Sequence, residues 1–502
     1  MRRAASHPVV QLMIVMLMCA LIAIPKLDQQ GLTSSEGHRV IPAIEMLESG
    51  AYLVPTMFEQ EYVRKPQMVP WLFSLALRIH PDPDLSPRLV SGTAFTLMVL
   101  GSWFFARRWF GSGAGFSSAL ALGLTPLYWS PARAAEIESV HNLFTAIGAW
   151  IVIELCARRH PRAKAFAWQL ALCTISLCML LTKGPAGFPI MLGILIGCTV
   201  LTSGPRERIY EFVRPSIWIP VIIAALIFAW HWSNTLEAAG PNAVVQAPSA
   251  FMFEPGRLLK LAGFVPVALL TALPLSLAIL FPWGPDARAE AALDQSLRKR
   301  LRIAKIIALA VPCALVVMML TGVSNDRYAQ PILAPIAPLV GWLLTTPLSA
   351  KRASILRSLT LGRPAILAAV LSIGFVVYLI RFEPERRSSS GKIPAQIAAI
   401  ELIKSLDQMQ TERTPILVAH NMIEARPETL LYIRMALQDA GHDLDIRWIP
   451  KLDPQHMPSG TLAMLRTDQN GNESDKVLID SMIATGIVHE FSFSIVLIQD
   501  QD

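Results

Sequence analysis

Residues 158–202 read RRHPRAKAFAWQLALCTISLCMLLTKGPAGFPIMLGILIGCTVLT, a basic cluster followed by two apolar blocks. Each block is close to the roughly twenty residues that cross a bilayer as a helix. Similar blocks recur along the chain, which has 502 residues, 53% of them hydrophobic and 16% charged. Soluble domains carry about 25% charged residues. The sequence therefore predicts an α-helical polytopic membrane protein.

We predict about eleven transmembrane helices from the length of these blocks. The first, beginning near Val9, follows Arg2 and Arg3 and lacks a small-residue cleavage site, so we interpret it as an uncleaved helix. The predicted spans are 8–25, 87–106, 114–131, 138–157, 165–182, 185–202, 214–232, 259–281, 303–322, 329–347 and 364–381.

Basic clusters accompany every second connection between spans, which is typical of cytoplasmic loops. This pattern predicts a multi-pass protein of the inner (plasma) membrane, with its N-terminus in the cytoplasm and its C-terminus in the periplasm or outside the cell. The net charge of +7 is divided among the clusters and forms no stripe for nucleic acid. The clusters are Arg2–Arg3, Arg107–Arg108, Arg158–Lys164, Arg206–Arg214, Arg298–Arg302 and Lys351–Arg363.

The chain divides by composition into a membrane domain, 1–383, and a soluble tail, 384–502. Two long segments of the membrane domain, 26–87 and 233–258, belong to the outer face, and we interpret the second as a mobile polar loop. The tail alternates strands and helices, which predicts a small α/β domain. Its predicted strands are 415–420, 444–449, 461–466 and 493–498; its predicted helices are 394–407, 427–440 and 475–486. A helix along the membrane interface is predicted at 67–80.

Many polar residues fall on the predicted outer face, beside helices in which they are costly and therefore candidates for function. A lipid phosphate needs cations against the phosphate, and an acid can orient or deprotonate the group that attacks. The polar residues are Glu36, His38, Arg39, Arg64, Lys65, Glu136, Glu138, His141, Lys183, Asp326, Arg327 and Tyr328.

The segment 35–66, SEGHRVIPAIEMLESGAYLVPTMFEQEYVRKP, resembles the first outer loop of the protein O-mannosyltransferase and lipid A aminoarabinose transferase families, which belong to the GT-C membrane glycosyltransferases. Met46-Leu47-x-x-Gly50, Val54-Pro55 and Lys65-Pro66 match that loop. Four further motifs follow in the family's order: Arg107-Arg108-Trp109-Phe110-Gly111, Ala132-Arg133 with Glu138, Leu181-Thr182-Lys183-Gly184-Pro185, and Arg327-Tyr328 with Pro331. The resemblance covers about residues 8–346.

The resemblance implies transfer of a sugar from a polyprenyl phosphate carrier to a lipid, glycan or protein acceptor, by displacement with inversion. From the residues present, we assign Glu36 and Glu138 as catalytic acids. We assign the lipid phosphate to Arg64, Lys65, Lys183, Arg327 and Tyr328. Further candidates on the same face are Ser35, His38, Arg39 and His141.

Three positions depart from the family pattern. Ser35 stands where the family has its catalytic Asp, Arg64 replaces an acid, and Glu138 stands where Asp is usual. In relatives, acids at these positions can hold a divalent metal, and a fixed cation at Arg64 repels one. We therefore expect no cofactor and regard a divalent metal as disfavoured.

Other interpretations stay open. Glu36 could cap a helix beginning near His38, and Lys65 could extend its amine to the headgroups. Glu138 suits a helix N-terminus in any case. At the level of function, the departures allow a catalytically degenerate relative that binds lipid phosphate. A transporter is the third hypothesis, although it predicts polar residues in both halves of the bilayer.

Overall fold

Long apolar helices dominate this computed structural model, which describes residues 8–27, 31–202, 204–241, 244–245, 278–279, 295–320, 328–345, 413–419, 427–449, 462–466, 486–490 and 493–497, with single positions at 395, 399 and 402. The helices are α1 (Pro8–Ala23), α2 (Ser34–Ser49), α3 (Met68–Ile79), α4 (Ser86–Phe110), α5 (Ser112–Gly123), α6 (Trp129–Ala132), α7 (Ile137–Ala157), α8 (Arg162–Lys183), α9 (Phe188–Val200), α10 (Pro205–Phe212), α11 (Pro215–Ala239), α12 (Gln295–Leu320), α13 (Gln330–Leu333), α14 (Ala337–Thr345) and α15 (Pro427–Asp439). The strands are β1 (Thr56–Met57), β2 (Gln60–Val63), β3 (Val244–Val245), β4 (Arg413–Ala419), β5 (Asp443–Ile449), β6 (Leu462–Arg466), β7 (Gly486–Glu490) and β8 (Phe493–Leu497).

Five helical segments of the described chain are long and apolar enough to cross a membrane. Each overlaps spans predicted from the sequence, so the prediction of a mostly helical membrane protein is confirmed, while the count of eleven stays a prediction. The segments are Ser86–Phe110, Ile137–Ala157, Arg162–Val200, Pro205–Ala239 and Gln295–Met318. The predicted span 364–381, and 259–281 apart from two residues, lie outside the described residues.

One predicted span, 114–131, is wrong in length because α5 ends at Gly123. Pro126 opens a short 3-10 turn there, since proline has no N–H with which to continue a helical ladder. The two spans flanking Lys183 are joined by another 3-10 turn, in which Gly184 has a φ of 62°. That turn leaves Lys183 as the last residue of α8.

The segment 26–87 folds into α2, a hairpin of β1 and β2, and α3. The helix predicted at 67–80 is confirmed as α3. The helix expected to begin near His38 begins four residues earlier, at Ser34, because Thr33 and Glu36 form a capping box. In such a box each residue satisfies an N–H that the helix leaves unpaired.

The interpretation of 233–258 as a mobile loop is wrong where the structure describes it. α11 continues to Ala239, and within it the polar side chains of Asn234 and Thr235 bond to carbonyl groups of their own helix. The helix ends at Gly240, whose φ of 71° suits glycine. β3 then pairs in parallel with β2, through Val63 and Val245.

Small residues allow two close approaches between helices of the bundle. A Cβ at Gly193 in α9 would collide with the Ala310 carbonyl oxygen in α12, and one at Gly341 in α14 would collide with the Ala114 carbonyl oxygen in α5. Glycine at such positions is typical of membrane helices, which associate through close backbone packing.

The C-terminal strands form one mixed sheet in the order β5-β4-β6-β8-β7. β4 is parallel to β5 and β6, whereas β8 is antiparallel to β6 and β7. β4, β5, β6, β8 and α15 overlap elements predicted from the sequence, but β7 is a strand that the sequence did not predict. The predicted helix 475–486 lies outside the described residues except for its last residue, which begins β7. The predicted helix 394–407 is described only at single positions, and the domain boundary at 384 stays a prediction.

Helix α15 is attached to the end of the bundle at which α2 begins. The Tyr432 hydroxyl accepts a hydrogen bond from Leu32 N at 2.6 Å and donates one to Asp84. Arg434 lies 3.4 Å from Glu45 of α2. These contacts hold α15 against α2 and the residue that precedes it by two positions, Leu32. The first residues of α2 include several of the predicted site residues.

Candidate active site

The described site residues meet at one end of the bundle, where α2 and α7 begin and α8 ends. The Ser35 hydroxyl lies 2.6 Å from Glu136 of the segment before α7. Lys183 of α8 lies 3.1 Å from Glu138 in the first turn of α7. Ser35 and Glu136, which are 101 positions apart in sequence, and Glu138 and Lys183, which are 45 apart, thus lie at the same end of the bundle.

Glu36 lies within a buried network and not on the open surface of this constellation. Its side chain is 0% exposed, as is that of Arg88 in α4. Glu36 Oε1 accepts hydrogen bonds from Arg88 Nε at 2.9 Å and Ala135 N at 2.8 Å. Its Oε2 accepts from Arg88 Nη2 at 3.0 Å, Thr33 N at 2.8 Å and Thr33 Oγ1 at 3.0 Å.

These contacts favour a structural role for Glu36, because five donors occupy its oxygens and solvent does not reach it. The catalytic role assigned to Glu36 stays a prediction. The cation beside it is Arg88, which sequence reasoning overlooked. The signal was present, since a charged residue inside a predicted apolar span indicates a buried partner.

The carboxylate on the open side of the site belongs to Glu136. Ser35 is exposed and Glu136 is half-buried, and the Ser35 hydroxyl donates to Glu136 Oε1 at 2.6 Å. Glu136 is also hydrogen-bonded to Glu138. Burial, and next the Glu138 carboxylate, raise the pKa of Glu136 above its usual range. Two carboxyl groups joined in this way share one proton more readily than isolated ones.

Lys183 contacts both the Glu138 carboxylate and the Tyr328 ring. Its ammonium lies 3.1 Å from Glu138 Oε1 and 4.1 Å from the centre of the Tyr328 ring. Its side chain is 7% exposed, so water screens the charge little. Three predicted site residues are thereby brought together, whereas Arg327 lies outside the described residues.

Arg39 adds positive charge near the acid pair. Burial lowers the pKa of the Arg39 guanidinium, and the nearby Glu138 carboxylate opposes that shift. The Glu136 carboxylate also opposes the shift, whereas the Arg64 guanidinium adds to it. Arg64 directly follows β2, and Lys65 beside it is half-buried. Arg39 and Lys183 are thus the described cations that lie close to the two acids.

The two histidines have different surroundings. His38 is buried, its Nδ1 lies 2.9 Å from the Tyr62 hydroxyl, and the two rings are stacked. His141 is 2% exposed and lies one turn after Glu138 in α7. Its ring nitrogens have no hydrogen-bond partner among the residues that the structure describes.

The acid pair is a poor fit for a divalent metal of the kind that relatives can hold. Glu138 is already paired with Lys183, and Arg39 lies close enough to interact with both glutamates. Fixed cations repel another cation. No group of three or more potential metal ligands occurs within the described ranges.

Comparison with known proteins gives a family match and two curated relatives. Residues 64–233 match the family model described as dolichyl-phosphate-mannose-protein mannosyltransferase. An uncharacterized protein of Aquifex aeolicus is 31% identical over 166 residues, which are 33% of this chain and 32% of that protein. Undecaprenyl phosphate-alpha-4-amino-4-deoxy-L-arabinose arabinosyl transferase 1 of Pseudomonas fluorescens is 26% identical over 321 residues, 59% of this chain and 51% of that protein. The chain thus spans about a third of the length of the first relative and about half of the length of the second.

Among solved structures, the fold is shared with ArnT from Cupriavidus metallidurans. Its apo crystal structure matches with a TM-score of 0.66 and 16% identity, over 99% of this chain and 100% of that one. Its complex with undecaprenyl phosphate matches with a TM-score of 0.63 and 15% identity, over 98% and 99%. The predicted resemblance to the protein O-mannosyltransferase and aminoarabinose transferase families, and the GT-C fold, are confirmed.

Proposed function

We propose that this chain transfers a sugar from a polyprenyl phosphate carrier to an acceptor on the outer face of the inner membrane. The observation that carries the proposal is the meeting of Lys183 and Arg39 with the Glu136–Glu138 pair at one end of the bundle. The cations neutralise the lipid phosphate as its bond to the sugar breaks, where negative charge grows. The acids orient or deprotonate the acceptor.

The comparisons support the class of donor. The Cupriavidus structure is a complex with undecaprenyl phosphate, and the name of the Pseudomonas relative describes transfer of an aminoarabinose from that lipid. By analogy, the donor here is a hexose or pentose linked to a polyprenyl phosphate, and the displacement inverts the anomeric carbon. The acceptor is a lipid, glycan or protein.

The experiment uses the full-length protein in detergent or nanodiscs. Undecaprenyl phosphate binding is measured directly, and release of undecaprenyl phosphate is then followed with a panel of radiolabelled undecaprenyl phosphate hexoses, pentoses and 4-amino-pentoses. We expect saturable binding and turnover of one member of the panel. Protein that neither binds the lipid nor releases it from any donor would contradict the proposal.

The second candidate is a lipid-phosphate-binding protein without catalysis, which Ser35 and Arg64 favour because each replaces an acid of the family pattern. It predicts binding of undecaprenyl phosphate with no release from any donor. The Glu136–Glu138 pair favours the enzyme instead, because it supplies a half-buried carboxylate at the site even though Ser35 cannot.

The topology gives a separate prediction. Arg107 and Arg108 end α4, Arg158 follows α7, and Arg300 lies near the start of α12; by the positive-inside rule this is the cytoplasmic end. A reporter fused after Arg300 should be active on the cytoplasmic side and one fused after Asp502 on the outer side. Equal signals from both fusions would refute the count of eleven spans and the outer location of the tail.

A further inference from the structure

The position that carries the catalytic Asp in the resembling families is occupied here by Ser35, but a carboxylate still reaches it. Ser35 donates its hydroxyl to Glu136 Oε1 at 2.6 Å. Glu136 lies 101 positions away in sequence, in the segment that precedes α7. The Glu136 carboxylate therefore lies beside the position of the family's catalytic Asp, although it comes from a different element of the fold.

Glu136 does not serve the helix that it precedes. It occupies the N-cap position of α7, with extended φ and ψ of −122° and 171°, yet its side chain makes no capping hydrogen bond. An acid at this position ordinarily bonds to the N–H groups of the first turn. Here the side chain contacts Ser35 and Glu138 and leaves the N–H groups of the first turn of α7 uncapped by it.

The other two acids are already engaged. Glu36 accepts five hydrogen bonds and is 0% exposed. Glu138 is paired with Lys183 at 3.1 Å, which occupies one of its oxygens. Of these three carboxyl groups, Glu136 alone is bonded to an exposed residue of the first motif.

We infer that Glu136 takes the proton from the acceptor hydroxyl, with Ser35 holding its carboxylate in position. This inference rests on the proposed function. The acceptor oxygen forms a bond to the anomeric carbon, and the bond from that carbon to the phosphate oxygen breaks with its electron pair staying on the lipid phosphate. The hydroxyl proton moves to Glu136.

Because Glu136 and Glu138 share a proton, the assignment of Glu136 as the base predicts that the transfer rate depends on pH. Only ionised Glu136 can act as the base, and burial raises its pKa above that of an ordinary glutamate. Transfer therefore rises with pH through that raised pKa and levels off above it. The hydrogen bond from Ser35 lowers the pKa of Glu136, so Ser35→Ala should move the rise to higher pH. Below the raised pKa the pair bears one negative charge fewer, so undecaprenyl phosphate binds more tightly.

The variant Glu136→Gln keeps the shape and can still donate to Glu138 through its amide. We expect transfer to fall by about 10²–10⁴-fold, with the rising limb of the pH profile lost. Undecaprenyl phosphate should bind at least as tightly as in the wild type, and without the wild-type pH dependence. The double variant Ser35→Asp/Glu136→Gln returns a carboxylate from the α2 side and should recover part of the lost transfer.

Glu237→Gln is the matched control, since Glu237 is exposed near the end of α11, and it should behave as the wild type. Wild-type transfer by Glu136→Gln, or an unchanged pH profile of binding, overturns the inference while leaving the proposed function intact. Wild-type protein that fails to bind undecaprenyl phosphate overturns the proposed function and the inference with it. If Glu136→Gln does not fold, the pH profile of Ser35→Ala is the deciding measurement. A transfer rate that rises at the same pH in Ser35→Ala as in the wild type overturns the assignment of Glu136.

Discussion

Glu36→Gln should destabilise the protein by about 3–5 kcal/mol, the usual cost of removing one partner of a buried ion pair. The variant leaves the Arg88 guanidinium, which is 0% exposed, without its hydrogen-bonded counter-charge, and Asp84 acts on it through space. The carbonyl groups of Leu27 and Gly31, each 2.9 Å from Arg88, remain as acceptors but carry no full charge. The measurement is thermal unfolding of the purified protein in detergent, which should show a clearly lower midpoint.

Two comparisons separate this effect from catalysis. Ser35→Ala, at the neighbouring exposed position, should leave the unfolding midpoint close to the wild type. The double variant Glu36→Gln/Arg88→Met should lose less than the two single variants together, because it leaves no unpaired charge. A Glu36→Gln protein with the wild-type midpoint and no transfer would instead establish Glu36 as the catalytic acid, as the sequence resemblance implies.

Lys183→Ala should lower the transfer rate by about 10²–10³-fold, the loss found when one preorganised charge-stabilising donor is removed. The ammonium is 7% exposed and lies between Glu138 and the Tyr328 ring, so its position is fixed before the lipid arrives. A charge that needs no reorganisation stabilises the departing phosphate most effectively. The measurement is the rate of undecaprenyl phosphate release together with the dissociation constant of the free lipid.

The matched control is Lys164→Ala, an exposed lysine near the other end of the same helix, which should leave both quantities unchanged. Lys183→Arg should retain part of the rate, because a guanidinium keeps the charge and can also lie over the Tyr328 ring. Lys183→Ala with wild-type release and wild-type affinity would remove Lys183 from the proposed site.

The membrane character of the chain follows from sequence alone. Blocks such as 138–157 are long and apolar, and no water in the bilayer core could satisfy their backbone groups outside a helix. The charged residues beside these blocks indicated the site. Placing Glu138 or Lys183 next to the apolar bilayer costs free energy, so such residues are candidates for function. The sequence therefore predicted that these two residues lie on the same face, but it could not predict that they are in contact.

The roles of neighbouring acids were decided only by the tertiary structure. Glu36 and Glu136 are chemically identical, but α4 places Arg88 against the first, and the start of α2 places Ser35 against the second. One-dimensional spacing cannot say which carboxylate faces a buried cation and which faces the open site, because those partners lie 52 and 101 positions away. The sequence predicted that acids and cations gather at one end of a helical bundle; long-range packing determined that Glu36 is enclosed in the core and that Glu136 is half-buried beside the exposed Ser35.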